Sequence, residues 1–363
     1  MKTWNVGIVG LRRGRGFVSV FAAHPRVNVT ALCDLDQGTL SDLGEAFSLP
    51  DSALYTDYDQ FLNAQTDIIM VATPIRFHAD MTVHALEAGK HVLCEQTAAY
   101  TVADCERIVD AVKQTGRGYM MAENYCYFHY IRQWREIINQ GKLGTIFHAE
   151  AEYIHEIEHL LVDEQSGSFF WRHERPPIWY CAHCLGPLLT LMDDRIVAAS
   201  GSSAGFHKRP EYSDHLGFLD MEIGLFRTQK GALIKIARSQ VAPRYPHLVY
   251  YTLYGTKGYV ENGRGDGTEG RIWTEDHAKD AEHRPAEPMH CTTVDPDAPD
   301  DAKHGGHGTS EYYMIREFLD ALEAGTRPPI DVVRSMDFTV PGIIAHESAM
   351  SDGNWREVPL FEW

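Results

Sequence analysis

The stretch Gly7-Ile8-Val9-Gly10-Leu11-Arg12-Arg13-Gly14-Arg15-Gly16 decides how the first part of the chain folds. The apolar run Val6–Gly10 ends in glycine and predicts a β-strand, and the Gly/Arg-rich turn Leu11–Gly16 precedes a helix predicted from about Phe17. This order presents backbone N–H groups, with the positive end of the helix dipole behind them. The pattern indicates a site for the pyrophosphate of a dinucleotide; the alternative is a glycine-rich turn without a ligand.

The residue that would bind the adenosine ribose is Asp34, which lies 24 residues after Gly10 at the end of a second predicted strand. A carboxylate there accepts hydrogen bonds from ribose hydroxyls and repels a 2′-phosphate, so the sequence favours NAD over NADP. The spacing differs from a clean GxGxxG, because Arg12 stands where a second glycine would let the backbone approach the ligand. An arginine of the turn could instead pair with a 2′-phosphate, which leaves NADP open.

Strands and helices alternate over residues 1–122. Thr101 is placed to cap a helix whose apolar residues recur at helical spacing. The run Asp67–Thr73 is almost wholly apolar, as expected of a parallel strand covered on both faces. Further short strands are predicted at 29–33, 91–94 and 118–122. Alternation of this kind predicts βαβ units and a doubly wound parallel sheet.

The pattern changes near Glu123, and residues 123–363 are predicted to form a second, α+β domain with an open, mostly antiparallel sheet. Its strands are predicted at 146–157, 216–226, 232–241 and 249–254, and its helices near 131–138, over 310–324 and from about 332. The stretch 262–308, rich in Gly, Asp, Pro and His, is predicted to form loops, with His283, His290 and His304 as surface histidines. The C-terminal helices are expected to pack back on the first domain.

Composition narrows the classes of function. The chain has 363 residues, of which 44% are hydrophobic and 23% charged, which is ordinary for a globular protein of two domains. A net charge of −18 repels phosphate backbones and anionic lipid, so we expect neither nucleic acid nor a membrane surface as a partner. The start Met1-Lys2-Thr3-Trp4 leads directly into a strand, and seven scattered cysteines indicate reduced thiols, so we expect a cytoplasmic protein.

Four segments resemble the Gfo/Idh/MocA oxidoreductase family: Ala72–His78, Gly89–Glu95, Gly255–Gly258 and His304–His307. The resemblance spans the chain and implies an N-terminal Rossmann domain that binds NAD. It also implies that the open sheet of the second domain lines the substrate site and forms the interface of a homo-oligomer, a dimer or a tetramer. The implied cofactor contacts are Gly10, Leu11, Arg12, Arg13, Gly14, Asp34, Thr73, Pro74, His78, Glu95, Gln96 and Asn124.

The chain departs from the dehydrogenases of that family at two points. These carry Glu-Lys-Pro after the fourth strand, where the lysine helps to move the proton of the reacting hydroxyl, but this chain has Glu95-Gln96-Thr97. Glutamine cannot act as a general acid or base. The dehydrogenase arrangement Asp-x-Gly-x-His-x-x-Asp is replaced by the segment Trp179–Pro187, which keeps His183 and lacks both aspartates.

The segment Tyr180-Cys181-Ala182-His183-Cys184-Leu185-Gly186-Pro187 resembles glycoside hydrolase family 109, as do Glu123–Tyr127, Glu152–His155 and Trp171-Arg172. Its members are NAD-dependent glycosidases on the same scaffold. The resemblance implies catalytic roles for Glu123, Tyr153, His155, Tyr180 and His183. It also implies that Trp171, Arg172 and His307 line the substrate site.

This resemblance implies an NAD-dependent glycoside hydrolase that works by transient oxidation of the sugar. Hydride leaves C3, a base removes the C2 proton, the C1 substituent is eliminated, water adds, and the hydride returns. Tyr/His pairs suit repeated proton transfer, unlike the paired carboxylates of ordinary glycosidases. Tyr153 and His155 lie two apart on a predicted strand and so face one side. Tyr180 and His183, three apart, would meet in a helical turn.

Other interpretations stay open. A plain NAD-dependent sugar or cyclitol dehydrogenase, with histidine in place of the lysine, is one, and a sugar-sensing regulator without chemistry is another. Single Tyr or His residues in strands are most often packing residues. Cys181 and Cys184 flank His183, but zinc would need further ligands, so we expect no metal. Candidates for binding an anionic sugar substituent are Arg172, Lys235, Arg238 and Arg244.

Overall fold

The computed structural model describes residues 2–265, 269–277 and 285–363; His283 lies outside these ranges. The contacts divide the chain into two compact units. The first unit comprises Met1–Phe128, Thr293–Met336 and Phe361–Trp363, and the second comprises His129–Thr292 and Asp337–Leu360. A domain boundary between residues 122 and 123 stays a prediction.

The helices occur in both predicted parts of the chain, the alternating strands and helices of residues 1–122 and the α+β region of residues 123–363. Within the described ranges they are α1 Leu11–Ala23, α2 Gln37–Ala46, α3 Tyr58–Leu62, α4 His78–Glu87, α5 Val102–Thr115, α6 His129–Asn139, α7 Ala182–Met192, α8 Ser310–Ala324 and α9 Val332–Ala349. The predicted cap of α5 is confirmed, because the Thr101 hydroxyl accepts the Asp104 N–H at 3.1 Å. No helix in the part of the chain that the structure describes is long and apolar enough to span a membrane.

The first unit contains a parallel sheet in the order β3-β2-β1-β4-β5-β6. Its strands are β1 Trp4–Val9, β2 Val27–Cys33, β3 Leu54–Tyr55, β4 Ile68–Val71, β5 His91–Glu95 and β6 Tyr119–Ala122. All four residues of β4 are fully buried, which confirms a strand covered on both faces. Helix α8 belongs to this unit, where the buried Arg26 forms ion pairs with Asp320 at 2.6 Å and Glu323 at 3.2 Å.

Helix α1 begins at Leu11, so the prediction of a start near Phe17 is wrong. Gly10 has φ +88°, and a Cβ added to it would lie 2.6 Å from the Thr73 nitrogen. The chain can therefore turn directly after β1 only through glycine. The N–H of Leu11 then donates to the Asp34 carboxylate at 2.6 Å, which caps the first turn. The glycine-rich turn is thus the beginning of the helix itself.

The second unit contains an open sheet in the order β16-β15-β14-β13-β7-β12-β11-β10-β17. Its strands are β7 Ile146–Ile154, β10 Ile196–Ser203, β11 Glu222–Thr228, β12 Leu233–Ser239, β13 Leu248–Gly255, β14 Gly258–Glu261, β15 Glu269–Thr274, β16 Glu287–His290 and β17 Arg356–Glu357; β8 Val162–Asp163 and β9 Ser168–Phe169 form a separate hairpin. The sheet is antiparallel except for the pair β7 and β12, which confirms the predicted fold class.

Two sequence predictions fail in this sheet. The strand predicted over 216–226 begins only at Glu222, because Gly217 lies in a tight turn against the carbonyls of Arg172 and His173. The loops predicted over 262–308 contain β15 and β16. Strand β16 lies at the edge of the sheet, where its proline is tolerated, and this explains how a loop-like composition forms a strand.

Helix α9 supports the segment that precedes α7. A Cβ added to Gly342 would lie 2.5 Å from the Cys181 sulfur and 2.7 Å from the Trp179 carbonyl oxygen. The buried Glu222 joins the same parts, since it accepts the Ile178 N–H at 2.9 Å and lies 2.8 Å from Nδ1 of His346 on α9. The backbone around residue 180 is therefore held by close packing.

We expect Gly342→Ala to destabilise the protein, because the added methyl would force α9 away from residues 178–181. Overpacking of this kind costs about 1–3 kcal/mol. Thermal unfolding should show a lower Tm than the unmodified protein. Gly16→Ala on α1 is the matched control, since its added Cβ meets nothing nearer than Arg13 Nη1 at 3.7 Å. That change should leave Tm unchanged or raise it. An undiminished Tm for Gly342→Ala would contradict the packing argument.

Candidate active site

Four of the predicted catalytic residues lie together in the second unit, and we call them the Tyr/His cluster: Tyr153, His155, Tyr180 and His183. The Tyr153 hydroxyl and Nδ1 of His155 are 2.9 Å apart. The ring of His183 lies edge-on to Tyr153 at 5.5 Å and to Tyr180 at 5.6 Å between centroids. The predicted pairings along the strand and the helical turn are both present, and the structure joins the two pairs.

Neighbouring elements fix the cluster. Tyr153 lies near the end of β7, and His155 directly follows that strand. Tyr180 precedes α7 and His183 lies in its first turn, where the His183 carbonyl accepts a hydrogen bond from the hydroxyl of Tyr251. Strands β7 and β13 are paired, so one sheet carries Tyr153 and also Tyr251, which holds the start of α7.

His155 is held in its neutral form. Burial lowers its pKa to about 4, and the nearby positive charges of His247, Arg238 and His183 act in the same direction. The His247 ring lies 4.6 Å away, centroid to centroid. A neutral imidazole has one nitrogen that accepts, so Nδ1 can take the hydrogen bond of the Tyr153 hydroxyl. His155 is therefore uncharged near neutral pH and free to accept the hydrogen bond of the Tyr153 hydroxyl.

Two arginines enclose the cluster. Arg238 is 1% exposed, and it donates through Nε to the Tyr180 carbonyl at 2.9 Å and through Nη1 to the Tyr153 carbonyl at 3.1 Å. Arg175 is 3% exposed, with its guanidinium carbon 3.7 Å from the centre of the Tyr180 ring. Sequence reasoning missed Arg175. For Arg238 the sequence does carry a signal. It follows Ile234 and Ile236 at a spacing of two on β12, which places it on the same face as these buried residues.

The other candidates for binding an anionic substituent are placed differently. Lys235 forms an ion pair with Glu150 at 2.6 Å, and the exposed Arg244 donates to the Arg264 carbonyl. Trp171 and Arg172 are half-buried, and the Arg172 guanidinium lies 4.5 Å from the Trp171 ring. Within the described residues no set of three His, Cys, Asp or Glu side chains could hold a metal ion. Cys181 and Cys184 are buried in packing contacts.

A second group of predicted residues lies in the first unit. Glu123 is fully buried and accepts the Tyr125 N–H at 3.2 Å. Burial, with the nearby Glu95 charge, raises its pKa well above the usual range and so favours its neutral form. Asn124 donates to Glu311 at 3.5 Å, and Nδ1 of His307 lies 2.6 Å from Glu311.

Glu311 was missed by sequence reasoning. Burial opposes its ionisation, but the hydrogen bond and charge of His307 outweigh burial and hold the pKa of Glu311 below its usual range. His307 precedes α8 and Glu311 lies in its first turn, so a histidine shortly before a predicted helix whose first turn holds a glutamate is a local signal that could have found this pair. His307, predicted to line the substrate site, is thus oriented by an ionised carboxylate.

His78, a predicted cofactor contact, is buried. Its ring nitrogens lie 2.8 Å from the Thr97 carbonyl oxygen and 2.9 Å from that of Thr73. Burial alone would lower its pKa, but interaction with Cys94 and the two carbonyls raises it to about 9. An imidazolium donating to both carbonyls joins the ends of β4 and β5. His78 therefore stabilises the segments that follow β4 and β5, and direct contact of His78 with the cofactor stays a prediction.

The residues of the first unit fit a dinucleotide. The Thr73 hydroxyl is buried and has no hydrogen-bond partner among the described residues, so a ligand could supply one. Gly10 lets the backbone approach closely, as described above. Asp34 accepts the N–H groups of Leu11 and Asp36 and still has lone pairs for ribose hydroxyls. Arg13 is paired with Glu95 at 2.5 Å, which gives one arginine of the turn a partner other than a 2′-phosphate.

Comparison with known proteins agrees with this geometry. Residues 4–123 match the Gfo/Idh/MocA family, described as an oxidoreductase family with an NAD-binding Rossmann fold, and residues 127–362 match the C-terminal domain of glycosyl hydrolase 109. A glycosyl hydrolase family 109 protein of Shewanella pealeana is 29% identical over 99% of this chain and 86% of that protein. An alpha-N-acetylgalactosaminidase of Shewanella oneidensis is 28% identical over 99% and 85%.

Solved structures show the same fold. An oxidoreductase domain protein from Kribbella flavida has a TM-score of 0.84 at 22% identity, and covers 99% of this chain and 100% of that chain. Levoglucosan dehydrogenase in complex with NADH and L-sorbose also has a TM-score of 0.84, at 17% identity and with the same coverage.

The chain is therefore an NAD-dependent enzyme on an oxidoreductase scaffold, a glycosidase or an oxidoreductase. Its first unit is an NAD-binding Rossmann fold. Because the match to the C-terminal domain covers more than half of the sequence, the chain belongs to the glycosyl hydrolase 109 family.

We expect Asp34→Asn to weaken NAD⁺ binding about ten- to a hundredfold, since a charge-assisted hydrogen bond contributes roughly 1.5–3 kcal/mol. Asparagine can still accept the Leu11 N–H, so α1 should keep its start. Asp36→Asn is the matched control: Asp36 is exposed and caps α2, a role that asparagine also fills. Calorimetric titration with NAD⁺ and NADP⁺ measures both affinities. Equal affinities in the unmodified protein would contradict the role of Asp34.

Proposed function

We propose that this protein is an NAD-dependent glycoside hydrolase that cleaves a glycosidic bond through transient oxidation of the sugar. The observation that carries the proposal is the Tyr/His cluster, in which four proton-carrying side chains are joined by contacts from His155 to Tyr153, His183 and Tyr180 in turn. A dehydrogenase moves one hydroxyl proton, whereas hydrolysis by oxidation and elimination also moves a C2 proton and protonates a leaving oxygen. Gln96, where the dehydrogenases have lysine, supports the same choice.

Each step has a group of the chain to serve it. Tyr153 takes the C3 hydroxyl proton as it passes its own proton to the neutral His155. NAD, when bound, supplies a reversible acceptor for the C3 hydride. The C3 ketone acidifies C2–H, whose proton passes to Tyr180; the bonding pair forms C1=C2, and the C1–O pair leaves on the departing oxygen, protonated by His183. Water then adds at C1 and gives one proton to His183. Tyr180 exchanges its proton with the solvent and donates one to C2, and reduction of C3, with the proton returned by Tyr153, restores the sugar.

The alternative is an NAD-dependent sugar or cyclitol dehydrogenase. The observation that favours it is the Tyr153–His155 hydrogen bond, because a neutral imidazole behind a phenol can replace the missing lysine as the acceptor of one hydroxyl proton. The two functions differ in the products that they release, so one experiment separates them.

That experiment incubates the protein with NAD⁺ and nitrophenyl glycosides in deuterated water, N-acetylgalactosaminides included because one relative is named for them. We expect nitrophenol without net NADH, and deuterium at C2 of the sugar, because C2 loses and regains a proton. Cleavage without deuterium at C2 would rule out transient oxidation. Steady NADH from a free sugar, without cleavage of any glycoside, would establish the dehydrogenase.

His183→Ala and Tyr180→Phe should slow glycoside cleavage by about 10²–10⁴, the usual loss when one proton-transfer group is removed. NAD⁺ affinity should stay near that of the unmodified protein, because both residues lie in the second unit. The control variants are His290→Ala, at an exposed position of β16, and Tyr259→Phe on β14. Normal cleavage by either cluster variant would exclude that residue from the mechanism.

We also propose that the chain assembles as a homo-oligomer through the outer face of its second sheet. Ile223 and Leu225 on β11 and Leu233 on β12 are exposed and share that face. Adjacent exposed apolar residues on a sheet usually mark an interface. Leu225→Glu should lower the mass measured by light scattering, whereas Leu35→Glu, at an exposed position of the first unit, should not. A monomeric unmodified protein would refute the assembly.

A further inference from the structure

Arg175 and Arg238 are buried cations that have no carboxylate partner among the described residues. Among the described residues, Arg238 donates only to backbone carbonyl oxygens, and Arg175 donates to the side-chain oxygen of Gln240 at 2.7 Å. The Nε of Arg175 has no hydrogen-bond partner in the described part of the chain. Buried charges are normally paired, so this arrangement calls for negative charge from another source.

The side chain that both arginines face is Tyr180. The Arg175 guanidinium carbon lies 3.7 Å and that of Arg238 lies 5.1 Å from the centre of its ring. A guanidinium over an aromatic ring is attracted to its electrons. The attraction grows when the ring carries a full negative charge in a site of low dielectric constant. Ionisation of the Tyr180 phenol would thus supply the missing charge.

The groups around Tyr180 support its ionisation. His183 lies edge-on to it, Arg172 adds a further positive charge beside Arg175, and no acidic side chain is among the principal charges acting on Arg175. Burial lowers the pKa of Arg175 to about 9, with Arg238 and Arg172 adding to the effect and Tyr180 opposing it. Arg175 therefore still carries its charge at neutral pH.

Tyr153 is the less suitable phenol. Arg238 lies 4.0 Å from its ring centre, but its hydroxyl is engaged by His155 and the side chain is buried. Tyr180 is only half-buried and can reach a ligand. Of the two tyrosines, Tyr180 is the one that has two guanidiniums close to its ring and is also accessible to a ligand.

We propose that Arg175 and Arg238 hold Tyr180 as its phenolate at neutral pH, so that Tyr180 is the base that takes the C2 proton. This inference rests on the proposed function and deepens it. The phenolate oxygen forms an O–H bond with the C2 proton, and the C2–H pair forms C1=C2 as the C1–O bond breaks. The phenol returns the proton to C2 when water has added. Arg175 and Arg238 are positioning residues that act through Tyr180.

The test is a spectroscopic pH titration that needs neither substrate nor turnover. The absorbance difference between the unmodified protein and Tyr180→Phe should show a tyrosinate band at neutral pH, well below the ordinary phenol pKa of about 10. In Arg175→Gln the band should appear at least about one pH unit higher, or roughly tenfold in proton affinity. Arg175→Lys, which keeps the charge, should titrate close to the unmodified protein. Circular dichroism confirms that each variant is folded.

Two results would overturn the inference: a difference spectrum that stays phenolic up to the ordinary pKa, or Gln and Lys variants that titrate alike. Should Arg175→Gln fail to fold, Arg238→Gln and Arg238→Lys provide the same comparison. A phenolic Tyr180 together with sulfate binding lost in Arg175→Gln would assign the arginines to an anionic ligand instead, which also refutes the inference. Because no catalysis is measured, failure of the proposed glycosidase reaction would leave these spectra unchanged and is distinguished from failure here.

Discussion

The parallel pairing of β7 and β12 is the constraint on which the candidate active site depends. It places Arg238 opposite Tyr153, and from there the guanidinium reaches the carbonyls of both Tyr153 and Tyr180. The planar guanidinium of Arg238 thus connects the end of β7 to the segment before α7. Glu222 holds the same segment through the Ile178 N–H and joins it to His346 on α9. The rings of the cluster can keep their distances because the backbones that carry them are joined in this way.

The charge of this cluster contrasts with the charge of the whole chain. The protein has a net charge of −18, yet its second unit buries two guanidiniums beside Tyr/His side chains, and in the described part of the chain neither arginine pairs with a carboxylate. Such an arrangement is costly to bury, so folding alone does not explain it. It suits chemistry in which negative charge develops, on a phenol or on a sugar carbon that loses a proton. In the first unit, burial instead raises the pKa of Glu123, while His307 lowers the pKa of Glu311.

Local signals in the sequence were sufficient for most of the fold. A continuous apolar run identified β4, and the Thr101 cap and the bounds of α8 were correct, whereas β3 and β10 were not predicted. The failures have one cause, contacts between residues distant in sequence. Asp34 caps Leu11 and starts α1 early, and pairing along the sheet makes β15 and β16 from a loop-like composition. The same holds for the site: motifs located Tyr180 and His183, whereas Arg175 gave no local signal and is recognised only by its position over a ring.

The exchange of lysine for Gln96 has a physical reason within the proposed function. A lysine beside the reacting hydroxyl would add a fixed positive charge and one proton, which is enough to oxidise an alcohol and release a ketone. Hydrolysis must instead take the ketone back to the alcohol, and it needs several groups that accept and donate protons at different steps. The Tyr/His cluster provides such a set, with a neutral His155 and a phenol between two guanidiniums. The family's scaffold can therefore change its net reaction by moving proton transfer from one lysine after β5 to four aromatic side chains in the second unit.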